Sequence, residues 1–367
     1  MARKLKPDRI LFIVTLVLVG FGIAMVFSSS AIVAKEKFGD PNYFAFKQLI
    51  FAALGLAVMF VVMKVDYHLY RHPAVVFTAL AVVVSLLVVV FFFATAANTH
   101  RWIQLAGLSL QPSELSKLAL VFFLAYFLEK RKGKINEFTF TLLPIGIIVT
   151  LLAGLIYLEP DLGTAAALLV TSVVLLFVAG LEIRWIAATF IFAMPVLYLM
   201  IFRVKYRRDR IFAFLDPWAE PFGRGFQIIQ SLYSIASGGI AGLGFMEGKQ
   251  KLFYLPEAHT DFIFAVVGEE IGLLGTGAIL LLFTAFLWRG LRTSVRAPDL
   301  FGFYLALGIT TMVCVQAFIN MSVVLGLLPT KGIPLPFLSY GGSSFIVTLA
   351  AVGILLNVSQ QSSLNSP

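Results

Sequence analysis

Stretches of about 18 to 25 apolar residues recur along the whole length of this chain, and nothing else in it narrows the fold so far. Wound as a helix, each is long enough to cross a hydrocarbon layer of roughly 30 Å. The chain is 60% hydrophobic and 13% charged, against about 25% charged for a soluble domain. No alternating ten-residue pattern of the kind a membrane barrel requires is present. The expected fold class is therefore an all-α polytopic membrane protein, with residues 1–367 forming one integral membrane domain. The only cysteine, Cys314, sits inside an apolar run, so there is no internal disulfide framework and no thiolate metal site. A net charge of +9 raises the question of nucleic acid, but the basic residues fall in loops between apolar runs. They read as membrane-surface anchors, with no nucleic acid partner.

Ten spans are expected, near 10–28, 46–63, 73–94, 113–129, 139–158, 163–181, 184–202, 262–288, 299–324 and 342–358. The first follows Arg3, Lys4, Lys6 and Arg9 and precedes Ser28–Ala31, which imitates a cleavable signal. Its length and the spans that follow make it the first membrane helix. A very short turn at Glu182 and Ile183 predicts that spans six and seven form a helical hairpin. With the N-terminus inside, inner segments hold fourteen Lys and Arg and the short outer loops only four, namely Lys35, Lys37, Arg101 and Lys331. The excess places both termini in the cytoplasm and the long loop 203–261, after the seventh span, outside. Within that loop Gln227, Gln230, Ser231 and Ser234 recur at helical spacing. They predict an amphipathic helix near 225–238 that lies along the interface or dips into the protein.

Four polar constellations interrupt the apolar pattern, each with a structural and a functional reading. In Tyr254–Glu270 the residues Glu257, His259, Thr260 and Asp261 abut an apolar run. Thr260 or Asp261 suits a helix N-cap. A carboxylate held where water meets lipid also invites chemistry. Were the helix to begin at Asp261, Glu269 would lie roughly 12 Å along it and Glu270 nearly opposite, both needing a partner or a wet cavity. Between Asn98 and Lys117, Ser113 reads as an N-cap and Glu114 as a first-turn acid. Glu114 and Lys117 could pair at i,i+3, or Arg101 and Lys117 could form an anion site for a lipid phosphate. Glu159-Pro160-Asp161 is an ordinary turn or a two-carboxylate cation site. The Pro- and Gly-rich stretch Leu328–Ser344 cannot be regular helix, and irregular backbone at membrane depth needs protein or a wet cavity beside it. Gly238–Lys251 is no Walker loop: Leu243 stands where Gly is required, and Gln250 replaces Ser or Thr.

Taken together and in order, Arg101-Trp102-Ile103, Gln111-Pro112-Ser113-Glu114, Glu159-Pro160-Asp161-Leu162-Gly163, Pro256–Phe264 and Pro334–Phe337 with Ser339–Ser344 resemble the SEDS family (shape, elongation, division and sporulation). Ala258, Gly268 and Pro329-Thr330-Lys331-Gly332 resemble its cell-division branch more than its elongation branch. Met246 and Gly248 depart from the family's usual loop.

The resemblance implies a peptidoglycan glycosyltransferase that polymerises lipid II, a disaccharide-pentapeptide on undecaprenyl pyrophosphate, at the outer face of the cytoplasmic membrane. For the division branch this would be at the septum. It implies Asp261 as the catalytic carboxylate, a divalent cation (magnesium or manganese) and no organic cofactor. The implied partners are a class B penicillin-binding protein and other division proteins. Arg101, Lys117, Arg210, Lys249, Lys331 and Ser343 are then candidates to bind the undecaprenyl-linked glycan's pyrophosphate, with Trp102, Glu114, His259, Thr260, Gln227 and Glu269 in support. Asp261 would accept the proton of an attacking sugar hydroxyl, and the cations would meet the charge of the leaving pyrophosphate. Two other classes stay open: a lipid II flippase, which needs a polar path through the whole bilayer, and a scaffold that only recruits partners.

Overall fold

The structure, a computed structural model, describes residues 6–93, 101–105, 108–252 and 254–361. Parts of the expected loop 98–117, residues 98–100 and 106–107, lie outside these, as do Arg3 and Lys4. Helices stand on all ten apolar runs: α1 (Arg9–Phe38), α2 (Tyr43–Lys64), α3 (Pro73–Val89), α4 (Pro112–Lys130), α5 (Leu143–Leu158), α6 (Leu162–Val178), α7 (Ile183–Phe202), α10 (Ile263–Val295), α11 (Leu300–Val324) and α12 (Gly342–Gln361). Helices α8 (Lys205–Leu215) and α9 (Phe226–Gly238) fall between α7 and α10, and a two-stranded antiparallel hairpin, β1 (Ile103–Leu105) with β2 (Leu108–Leu110), precedes α4. Eight of these helices are long and apolar enough to cross a membrane, α3 counting the 3-10 turn Val90–Phe92 that follows it and α5 the π turn that leads into it. The two others are α6, with 17 residues, and α4, which carries Glu114, Lys117, Glu129 and Lys130.

Three helices, α1, α6 and α11, begin at a capping aspartate. Asp8 accepts from the Leu11 N–H, Asp161 from Thr164 and Asp299 from Gly302, each satisfying a donor that the first turn leaves free. Inside lipid no hydrophobic force drives helices together, so close packing of small residues must. Helices α2 and α12 follow that rule: a methyl group at Gly353 would stand 2.6 Å from the Met59 carbonyl oxygen. Helices α11 and α12 lie at the centre of the bundle, most of their residues buried.

Two features, the placement of α7 and the break in α10, depart from the sequence reading, while α9 occupies the stretch expected as an amphipathic helix. No described residue of α7 is buried, and it packs mainly against α8 instead of forming a hairpin with α6. The polar stripe of α9 faces inward: Ser231 and Ser234 are buried, Tyr233 faces out, and Ser231 donates to the Val324 carbonyl at 2.7 Å. Helix α10 is broken at Gly272, where φ is +71°, a conformation that glycine tolerates and other residues resist. The break is closed from outside the helix. Leu243 and Gly244 N–H donate to the carbonyls of Glu269 and Glu270, while Gly239 and Ile240 carbonyls accept from Leu273 and Leu274. The loop after α9 thus supplies the hydrogen bonds that α10 loses, as irregular backbone in a membrane protein requires.

Candidate functional site

Asp261 lies in the turn before α10, not inside the helix. Glu257 opens that turn with φ of +55°, and its carbonyl accepts from the N–H groups of Thr260 and Phe262, both at 3.2 Å. The N-cap position of α10 is Phe262, with no side-chain cap bond, and the Thr260 hydroxyl turns back to the Glu257 carboxylate at 2.9 Å. The capping role open to Thr260 and Asp261 is therefore not the one they adopt. The Asp261 carboxylate instead faces the loop after α11: a methyl group at Gly332 would be 2.8 Å from its Oδ2. Burial, with Glu257 and Asp161 adding to it, pushes Asp261 up to about 7, against the opposing pull of Arg101 and Arg210. A carboxyl poised there can accept a proton at neutral pH.

Gly332 also lines a cavity of about 90 Å³, walled by Arg101, Asp161, Tyr206, Arg207, Arg210 and Lys331 among others. Four cations thus face one acid. Backbone carbonyls aim two of the arginines: Arg101 donates to Glu159 at 3.0 Å and to Pro160, and Arg210 donates to Thr330 at 3.1 Å. Arg207 is held by the Tyr157 hydroxyl and the Met200 carbonyl. The Lys331 ammonium has no hydrogen-bond or ion-pair partner among the described residues. Burial and the neighbouring Arg210 hold it below the ordinary lysine range, with Asp161 opposing. Cations fixed by neutral carbonyls keep their charge for an incoming anion.

The wall that carries Lys331 and Gly332 is held by amides from the C-terminal part of the apolar helix α11. Asn320 donates to the carbonyls of Asp261 and Ile333, both at 2.7 Å, and so ties the Asp261 turn to this wall. Gln316 donates to the Pro334 carbonyl at 2.9 Å. Ser339 donates to Thr260 at 2.5 Å, and Tyr340 N–H to His259 at 3.0 Å. Neither Asn320 nor Gln316 nor Arg207 was singled out by motif. The available signal was that amides inside apolar helices are costly unless they bind something.

The remaining candidates lie elsewhere or act indirectly. Lys117 is no surface anion ligand: it is buried, donating to Glu114 at 2.9 Å and to Gln316. It anchors the amide that holds Pro334, because a buried ammonium needs its acid partner. Lys249 has an exposed side chain, and its backbone is what is used, its N–H donating to Glu269 at 2.7 Å. Glu269 therefore braces the loop and does not face the cavity. Glu270 beside it binds Ser28 and Lys251, each at 2.6 Å. Ser343 accepts from Gln111 N–H at 3.0 Å, and Gln111 reaches Asp161 at 3.4 Å. His259 packs its ring against Phe44, 4.8 Å away, and burial lowers its proton affinity despite Glu257. Trp102 and Gln227 are half-buried and line no part of this cavity.

Asp161, one of the two acids read as a possible cation site, is occupied by Thr164, whose N–H and hydroxyl both reach it. Glu159 is fully buried. Among the described residues no group of three or more His, Cys, Asp or Glu side chains is placed to hold a metal ion. The carboxylates do not by themselves build a site for the expected magnesium or manganese.

A family model described as "Cell cycle protein" and bearing the names FtsW, RodA and SpoVE matches residues 8–364. "Probable peptidoglycan glycosyltransferase FtsW" of Geobacter metallireducens is 46% identical over 355 residues, 96% of this chain and 95% of that protein. "Stage V sporulation protein E" of Bacillus subtilis is 43% identical over 362 residues, 98% of this chain and 99% of that protein. A solved chain from a study of polymerization and crosslinking by a peptidoglycan synthase complex superposes with a TM-score of 0.79 at 30% identity, covering 96% of this chain and 97% of its own.

Proposed function

This chain belongs to the cell cycle protein family of FtsW, RodA and SpoVE, and on that premise we propose that it is a peptidoglycan glycosyltransferase of the multi-pass membrane class. It polymerises lipid II into glycan strands at the outer face of the cytoplasmic membrane. The glycosyltransferase activity for which its FtsW relatives are named supports the reaction, and the charge of the short loops supports the sidedness, with ten spans and both termini in the cytoplasm. Identity of 46% to an FtsW-named relative, against 25% to a solved RodA, supports septal synthesis over elongation. The solved peptidoglycan synthase complex supports a class B penicillin-binding protein as partner.

The observation that carries the reading is the Asp261 carboxyl set against Gly332 in the wall of a cavity lined by four cations. Asp261 takes the proton from the attacking sugar hydroxyl as the new glycosidic bond forms. The anomeric carbon gives up its bond to the lipid pyrophosphate, whose charge passes to Arg101, Arg207, Arg210 and Lys331. The leaving group departs as an anion and needs no proton, so one carboxylate is enough, and a single displacement inverts the anomeric centre. The adjoining elements position these groups: Asn320 sets the distance between the Asp261 turn and the Lys331 loop. A flippase requires a polar path across the bilayer, whereas these groups gather at one end of the bundle.

Purified protein incubated with lipid II in detergent, where there are no two sides, separates the possibilities. A polymerase makes glycan strands. A flippase or a scaffold leaves lipid II unchanged, with or without the penicillin-binding protein, and that outcome would refute the assignment.

A further inference from the structure

Glu159 is the most confined acid near the cavity. Its side chain is fully buried, and neither carboxyl oxygen has a hydrogen-bond partner among the described residues. Its own backbone carbonyl, with that of Pro160, holds the Arg101 guanidinium. The acid and the arginine are therefore neighbours that do not pair: Arg101 is bound by the main chain of the same turn while the Glu159 side chain points into the interior. Burying a bare carboxylate in this way without a partner costs far more than burying a neutral carboxyl.

We infer that Glu159 is a positioning residue for the anion site: neutral, it leaves the charge of Arg101 free for a pyrophosphate, and ionised, it takes that charge for itself. This rests on the reading of the cavity as a pyrophosphate site. The surroundings support it. Burial, reinforced by Asp161 at the start of α6 and opposed by Arg101, pushes Glu159 up to about 8. Arg207 of α8 stacks on Tyr157, two residues before Glu159, and Lys331 faces Asp161 from the loop after α11. An arriving pyrophosphate adds negative charge and disfavours ionisation of Glu159 still further. By reciprocity, the proton on Glu159 and the anion in the cavity favour each other. The device makes retention of the leaving group sensitive to alkaline pH.

The test is the affinity of the intact detergent-solubilised protein for inorganic pyrophosphate at pH 7 and pH 9, for wild type, Glu159→Gln and Arg101→Ala. Comparing variants at each pH cancels the ionisation of the ligand and of Lys331. At pH 9 about nine-tenths of a group with a pKa of about 8 is ionised. The affinity ratio of Glu159→Gln to wild type is therefore expected to rise about tenfold between the two pH values. A ratio that stays constant, with Arg101→Ala still weakening binding, overturns the role of Glu159 and leaves the anion site standing. No pyrophosphate binding at either pH overturns both. If Glu159→Gln does not fold, the infrared band of a protonated carboxyl in the Asp261→Asn background decides. It must persist at pH 7, vanish as pH rises through about 8, and survive to higher pH with pyrophosphate bound. A band absent at pH 7, or indifferent to pyrophosphate, contradicts the inference.

Discussion

At the scale of single residues the chemistry rests on Asp261 and on the glycine that leaves room for it. Gly332 is where a side chain would do most harm with least disturbance to the fold. A methyl there would displace the end of the Asp261 side chain, not backbone. Gly332→Ala is expected to lower strand synthesis at least tenfold while the thermal unfolding midpoint moves little, and a turnover assay beside an unfolding curve checks both. The pH profile follows from the same groups. Asp261 must lose its proton to act, so the rate rises as pH climbs through about 7. Above about 8 the ionising Glu159 weakens the anion site, so the rate falls again, and Lys331, held below the ordinary lysine range by burial and Arg210, adds to the fall when it loses its proton. Asp261 was legible in the sequence because an acid beside an apolar run is costly. Its surroundings were not, because a helix that starts two residues later, at Ile263, frees the carboxylate from capping. That shift depends on the Glu257 turn, which carries no sequence signal.

Among the elements, the irregular segment between α11 and α12 matters most. Its prolines and glycines announced that it could not be helix, and so it was readable as an interruption. What holds it was not readable: Gln48, Gln316 and Asn320 look like isolated amides until their partners, mostly backbone carbonyls, are known. Lys117 shows the same gap, since a cation near a helix start suits an anion site as well as an internal pair. Removing it should leave Glu114 buried and uncompensated. Lys117→Met is expected to cost about 3–5 kcal/mol, and Lys117→Met with Glu114→Gln should recover much of that, as read by thermal unfolding in detergent. Equal losses in the single and double variants would mean the pair is not what holds this region. The α10 break belongs to this scale too. Gly272 interrupts an otherwise continuous apolar pattern, and the loop that repairs it lies some thirty residues upstream, beyond the reach of any local periodicity.

For the whole molecule, hydropathy located every helix that carries an apolar run, while helix pairing lay beyond it. A short turn between α6 and α7 suggested a hairpin, yet α7 meets little beyond α8, the next helix in the chain, and none of its described residues is buried. The loop charges fix the sidedness proposed here, and that can be checked directly. A cysteine introduced at exposed Lys249 should react with an impermeant thiol reagent in spheroplasts, and one at exposed Arg296 should react only after lysis, since native Cys314 is buried. The reverse pattern would put Asp261 in the cytoplasm and remove the basis for an outer-face reaction. The role of Asp261 is decided by glycan strand synthesis from lipid II by purified Asp261→Asn protein beside wild type. Folded protein that still binds pyrophosphate is expected, with strand synthesis lowered by about 10²–10⁴-fold, the range for loss of a general base. Long strands made at the wild-type rate would contradict that role.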